Sequence, residues 1–281
     1  MTTASSEREV LVRREPSAFS VRRVTAMVLR YLYLLRGSWP RVAELVYWPT
    51  VQMILWGLIS RFFMTHSSYV AQAGGILIAG VLLWDILFRS QLGVAVSFLE
   101  EVWARNLGQL FVTPLRPYEL MLSLAAMSLV RTLVGIVPAA LLCIPLYHYS
   151  IFTMGLPLIA FFVNLMAFGW AMGLMVSGCI LRYGLGAESL AWLAIFALAP
   201  ISGVYYPISI LPGWIQPLAW ALPASYVFEG MRAIMLEHEF RADLLLQALS
   251  LNALYLAAGG VVFLAFFRAV RRRGLLLQMG E

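Results

Sequence analysis

The run EEVWARNLGQLFVTPLRPYEL, Glu100 to Leu120, decides how this chain is read. It is charged, compatible with a helix up to Pro114, and set between two long apolar stretches. Helices packed in a bundle are usually joined by about 2–8 residues. A polar, amphipathic connection of this length points to a surface on which something docks.

The stretches on either side place it in a membrane. The chain has 281 residues, of which 62% are hydrophobic and 12% charged. A soluble domain is about 45–50% apolar and about 25% charged. A helix crossing ~30 Å of hydrocarbon needs roughly 20 apolar residues. Six stretches qualify, over about 42–64, 74–98, 118–147, 155–181, 188–206 and 243–268.

Orientation follows from the arginines, because connections rich in Arg stay on the cytoplasmic side. Eight precede or open the first span (Arg8, Arg13, Arg14, Arg22, Arg23, Arg30, Arg36, Arg41). Arg105 and Arg116 lie in the second connection, Arg182 in the fourth, and Arg271, Arg272 and Arg273 after the last span. Only Arg61, Arg232 and Arg241 fall on the other side. Both termini are therefore expected inside, with Glu100–Leu120 cytoplasmic. The N-terminal MTTASSEREVLVRREP mixes acids and bases with no apolar h-region, so it does not read as a signal peptide.

All 20 basic residues are Arg. Without Lys the chain cannot build a P-loop, whose Lys reaches the phosphates. Any dependence on ATP must come from a partner. Cys143 and Cys179 fall near opposite faces of the bilayer, too far apart for a disulfide. His66, His148 and His238 show no converging spacing, so no metal site is expected. No G-x-S-x-G or H-E-x-x-H motif is present, which disfavours an enzyme.

Two further segments depart from plain spans. In residues 17–36, Val21, Val24, Met27, Val28, Tyr31, Leu32 and Leu35 recur at helical spacing while Arg22, Arg23, Arg30 and Arg36 take other positions. This predicts a helix in the interface plane with its arginines toward anionic headgroups. Residues 207–236 contain Pro207, Pro212, Pro217 and Pro223 with Trp214, Trp220 and Tyr226, which excludes one continuous helix. Such an apolar stretch fits short helices dipping into the outer leaflet and packed on the spans.

With these segments in order, the chain resembles the permease subunits of ABC exporters of the ABC-2 type. The match rests on the amphipathic N-terminal helix, on Gly108, Leu110, Pro114, Leu115, Arg116, Pro117, Glu119 and Leu120, and on Leu211 to Trp214, Pro217, Pro223, Tyr226, Glu229 and Arg232. The resemblance implies an all-α integral membrane fold of the bacterial inner membrane, with six transmembrane helices and two copies paired. It implies cytoplasmic tails over 1–16 and 271–281, a connecting helix over 17–36 and a single permease domain over 42–270. It implies a coupling helix over 99–113 and an outer re-entrant pair over 207–236. The partners implied are two copies of a separate ATP-binding subunit, which hold ATP and Mg, a second copy of this permease or a close homologue, and the bilayer. This chain itself would carry no cofactor, and no nucleic acid is involved.

Residue roles follow from that resemblance. Glu100, Glu101, Trp103, Arg105, Leu107, Gly108, Leu110, Pro114 and Arg116 would couple to the ATPase, with Val102 and Phe111 also filling its groove. Pro207, Pro212, Trp214, Pro223, Tyr226, Glu229 and Arg232 would form the outer gate, Glu229 and Arg232 latching it. Within the spans, Asp85 and Arg89 are four apart on one helix face, acid first. Arg131 has no acid nearby in sequence, and Asn164 adds a buried amide. These four line either the translocation path or the dimer seam, or else act as glue between spans. Gly169 and Gly173 form a G-x-x-x-G that favours close helix packing. The cargo expected is amphipathic or lipophilic, drug-like or lipid-like. Alternatives are a polysaccharide or lipid-linked glycan, a proton-coupled secondary transporter, or a non-transporting membrane scaffold.

Overall fold

The computed structural model describes residues 19–66 and 74–272. The expected tails over 1–16 and 271–281 lie outside these residues, except for Arg271 and Arg272. An amphipathic α1, Val21–Arg36, buries Met27, Tyr31 and Leu35, one per turn. Among the described residues five helices are long and apolar enough to cross a membrane: α2 (Trp39–His66), α3 (Gly74–Trp103), α5 (Pro117–Tyr147), α6 (Leu156–Tyr183) and α10 (Ala242–Arg272).

The fifth stretch expected from sequence takes a different form. Its helix α7, Ser189–Leu198, has 10 residues and is followed by turns. At 1.5 Å per residue that covers about 15 Å, half the hydrocarbon thickness. Pro200 and Gly203, whose φ is +68°, follow the helix and turn the backbone away from it. The whole segment nevertheless follows α3 along its length. At one end the Trp103 indole donates to Glu188 at 3.3 Å, and at the other the Val204 carbonyl comes within 2.9 Å of where a Cβ on Gly80 would sit. Those two α3 residues are about 35 Å apart along the helix.

α3 is the central helix. Of its most apolar window 78% is buried, against 17% for α2 and 22% for α10. Glycines set the close packing around it. A Cβ on Gly169 of α6 would lie 1.6 Å from the Ser90 hydroxyl, and one on Gly173 would lie 2.7 Å from the Val94 Cβ. On the far side of α6, Gly259 of α10 sits against the Ala171 backbone in the same way. The G-x-x-x-G is thus the surface that seats α6 on α3. Phe98, Leu107, Leu110, Leu120, Phe263 and Val270 belong to a second apolar cluster with Tyr31 of α1. This brings α1, the α3–α5 connection and the C-terminal end of α10 to one end of the bundle.

At that end the expected single helix over 99–113 is divided. α3 continues through Glu100 and Glu101 and stops at Trp103. Arg105 adopts a left-handed conformation (φ 52°), its N–H donating to the Val102 carbonyl while the Asn106 N–H donates to the Glu101 carbonyl. This paired closure is a Schellman stop. A separate six-residue α4, Leu107–Val112, follows before α5 begins at Pro117, the first-turn position that suits proline.

At the opposite end the proline-rich segment forms a 3-10 turn (Ile208–Ile210), α8 (Gln216–Trp220) and α9 (Pro223–Arg232), then a π turn (Ala233–Glu237). Pro217 and Pro223 stand in the first turns of α8 and α9, where no amide hydrogen is needed.

Candidate functional site

Two buried carboxylates fasten α1 to the α3–α4–α5 corner. Glu101, 1% exposed, receives both guanidinium nitrogens of Arg30 at 2.6 and 3.0 Å and the Asn106 amide at 2.9 Å. Glu119 receives Arg23 at 2.6 and 2.8 Å together with the backbone N–H groups of Ser20 and Arg116 at 2.8 and 2.9 Å. Bidentate pairs of this kind fix orientation as well as distance. Hydrogen bonding to these carboxylates raises both Arg30 and Arg23 above the ordinary guanidinium value.

The corner therefore sorts the residues expected to meet an ATPase. Glu101, Val102, Leu107 and Leu110 point into the protein, packed beneath α1. Trp103, Arg105, Gln109, Thr113 and Pro114 are exposed, and Val112 is 88% exposed. Gly108 and Arg116 are half-buried. Arg116 caps the start of α5, its guanidinium donating to the Tyr118 hydroxyl at 3.0 Å. The Phe111 side chain lies outside the described residues.

The buried charges inside the bundle fall into two groups. Asp85 accepts from Arg89 at 2.7 Å. A Cβ on Gly135 of α5 would be 3.0 Å from the Arg89 guanidinium and 2.7 Å from the Leu45 carbonyl of α2. Pro49, four residues beyond Leu45, lacks the amide hydrogen that would normally pair with that carbonyl. Nearer the corner, Glu100 lies 2.9 Å from Arg131 and 3.6 Å from Arg41. The partner of Arg131 is thus 31 residues away on α3. Arg89 and the Glu100–Arg131 pair thus both lie where α2, α3 and α5 meet. Asn164 stands apart, at the α6–α10 contact. Its side-chain oxygen and backbone carbonyl both accept from the Asn252 amide, at 2.8 and 3.0 Å.

At the other end, Arg232 donates to the Gly203 carbonyl at 2.7 Å and to Glu229 at 3.1 and 3.2 Å. Glu229 also accepts the Ile208 N–H at 2.8 Å. One acid and one base of α9 thus clasp both sides of the 203–208 turn, and Pro207 lies within that turn. Tyr226 packs on Trp220 with ring centroids 5.0 Å apart. Trp56 of α2 stacks on Tyr205 at 4.6 Å. Pro223 is buried at the start of α9, whereas Pro212 is exposed and Trp214 is 80% exposed.

Among the described residues no group of three His, Cys, Asp or Glu is placed to hold a metal ion. His148 and His238 end helices in left-handed backbone, and both cysteines are free. Arg23 and Arg30, expected to face anionic headgroups, instead bind Glu119 and Glu101, and the role of Asn252 has no sequence signal; these partners lie 71 to 96 residues away. Glu119 carried a signal, standing three residues after Arg116 beside a first-turn proline, the spacing of a capping box.

Residues 30–236, more than half of the chain, match the model of the ABC-2 type transporter family. A comparison with curated proteins gives no match.

Proposed function

This chain belongs to the ABC-2 type transporter family, and on that premise we propose that it is the membrane half of an ATP-driven exporter. As a member it is a multi-pass membrane permease and not a catalytic subunit. In the proposed assembly two permease copies pair, and each docks on a separate subunit that binds ATP and Mg. Both termini are cytoplasmic, and the stretch over 188–206 completes a sixth crossing in broken form. The observation that carries the reading is the family match, which runs from the end of α1 through α9 and so takes in the α3–α4–α5 corner, four of the five long helices and the clasped turn.

The docking surface is the outward side of the corner. Trp103, Arg105, Gln109, Val112 and Pro114 would meet the ATPase, while Glu100 and Glu101 hold the corner from behind. Because α1 is tied to the same corner through Glu101 and Glu119, a push on α4 would carry α1 with it. The α9 clasp of Glu229 and Arg232 would keep the segment over 207–236 closed across the outer end of the path. Asp85, Arg89 and Arg131 would act at the α2 junction, and Asn164 as glue between α6 and α10.

Asp85 and Glu100 each find arginine partners within the protein, which favours an amphipathic or lipophilic cargo that needs no charged binding site. A glycan cargo is favoured by one observation, the aromatic group of Phe88, Trp192 and Phe196, with centroids 5.8 and 6.3 Å apart. Such rings can stack on sugar faces. Proteoliposomes test the reading. Flux of a labelled lipid or drug should require the ATP-binding subunit and ATP, and a pH gradient alone should drive none. Flux through this chain alone, driven by a pH gradient, would instead identify a secondary transporter.

A further inference from the structure

α2 lies on the bundle with most of its surface bare. Its inward side presents Pro49, Met53, Gly57 and Ser60, and its outward side presents Glu44, Trp48, Gln52 and Leu55. Gln52 is near the midpoint of the apolar span Trp39–Phe62. Its side chain is exposed, and among the described residues its amide has no hydrogen-bond partner.

Among the described residues no other long helix does this at mid-depth. The bare faces of α5, α6 and α10 present residues such as Leu133, Val163 and Val261 there, as lipid requires. Ser250 of α10 is exposed but satisfies its hydroxyl on the Gln247 carbonyl of its own helix at 2.8 Å. Glu44 and Arg61 of α2 stand nearer the span ends, where long side chains reach the headgroups. Gln52 has no such route. A primary amide brings two donors and an acceptor, and hydrocarbon satisfies none of them.

The amide also limits what can cover it. A two-fold axis along the membrane normal keeps each residue at the depth of its own copy, and a residue that faces the axis meets that copy. An amide is self-complementary in that arrangement, its N–H donating to the carbonyl of the copy and its carbonyl accepting in return. We infer that the outward face of α2 is the seam between two copies of this chain, with the two Gln52 amides hydrogen-bonded to each other across the axis. This rests on the reading above, in which two permeases form one exporter.

Oxidative cross-linking in membranes tests it. Gln52→Cys, Leu55→Cys and, as a control on α10, Val261→Cys are each expressed with the ATP-binding subunit and treated with copper phenanthroline. The untreated and treated parent chain gives the baseline from Cys143 and Cys179. A disulfide needs Cα atoms about 4.4–6.8 Å apart. The Gln52→Cys chain should give a disulfide dimer, the Leu55→Cys chain a weaker one, and the Val261→Cys chain no more than the parent. A Gln52→Cys chain that reacts with a membrane-impermeant maleimide yet does not cross-link would place α2 on an aqueous path and overturn the seam. Native mass separates the two levels of the proposal. A complex with two permeases and no α2 cross-link removes the seam alone, whereas a monomer without an ATPase removes the reading and the seam together.

Discussion

Glu119 and Glu101 carry more of this architecture than their places in the sequence suggest. Each is buried, and each gathers donors from elements far apart in the chain. Removing Glu101 leaves Arg30 and the Asn106 amide facing a gap. Breaking a buried pair from one side costs about 3–5 kcal/mol, and Arg30 is part-exposed, so Glu101→Ala should cost about 3 kcal/mol. A lowered thermal midpoint of the purified complex in detergent would report it. Glu119→Ala should destabilise more than Arg23→Ala, because it strands two backbone N–H groups as well as a guanidinium. Equal midpoints for those two variants would contradict the geometry. From the sequence, Glu100 and Glu101 read as outward charges, since each stands in a polar run. Consecutive helical residues point about 100° apart, and only the position of α1 and α5 reveals that both turn inward.

Elements were legible where one helix decides its own limits. The spans of α2, α3, α5, α6 and α10 follow from apolar length, and the first-turn prolines of α5, α8 and α9 mark their starts. The break at Arg105 was not legible, because the left-handed turn is built on an arginine instead of the glycine that usually signals it. Ile201 and Val204 continue the apolar run beyond α7, so composition alone gives the stretch over 188–206 full span length. The turns through Pro200 and Gly203 end the helix without ending the apolar composition. The seat of α6 on α3 gives the sharpest test at this scale. Gly169→Val would force side-chain atoms into Ser90 and the Gln91 backbone. Overpacking of this kind costs about 1–3 kcal/mol, and a fixed backbone at Gln91 puts the change at the upper end. Gly186→Val, where a Cβ meets nothing, should leave the thermal midpoint unchanged.

For the whole molecule, one end of the bundle holds α1, α4 and the end of α10, and the other holds α8 and α9. Composition and arginine distribution identify a membrane protein and suggest which end faces the cytoplasm. They do not reveal that α2 stays bare and α3 becomes the axis, because burial depends on which helices meet. The central claim is that the α3–α4 corner joins this permease to an ATPase. Leu107 is a poor probe of it, since Leu107→Asp would place a charge in the apolar cluster beneath α1. Val112 is 88% exposed, so Val112→Glu leaves that cluster intact. The most direct measurement is affinity purification of the tagged chain from detergent-solubilised membranes, with and without Val112→Glu. The account predicts that an ATP-binding subunit accompanies the parent chain and that its recovery falls at least several-fold with Val112→Glu at unchanged permease yield. Equal recovery with both chains, or no ATP-binding subunit with either, would contradict it.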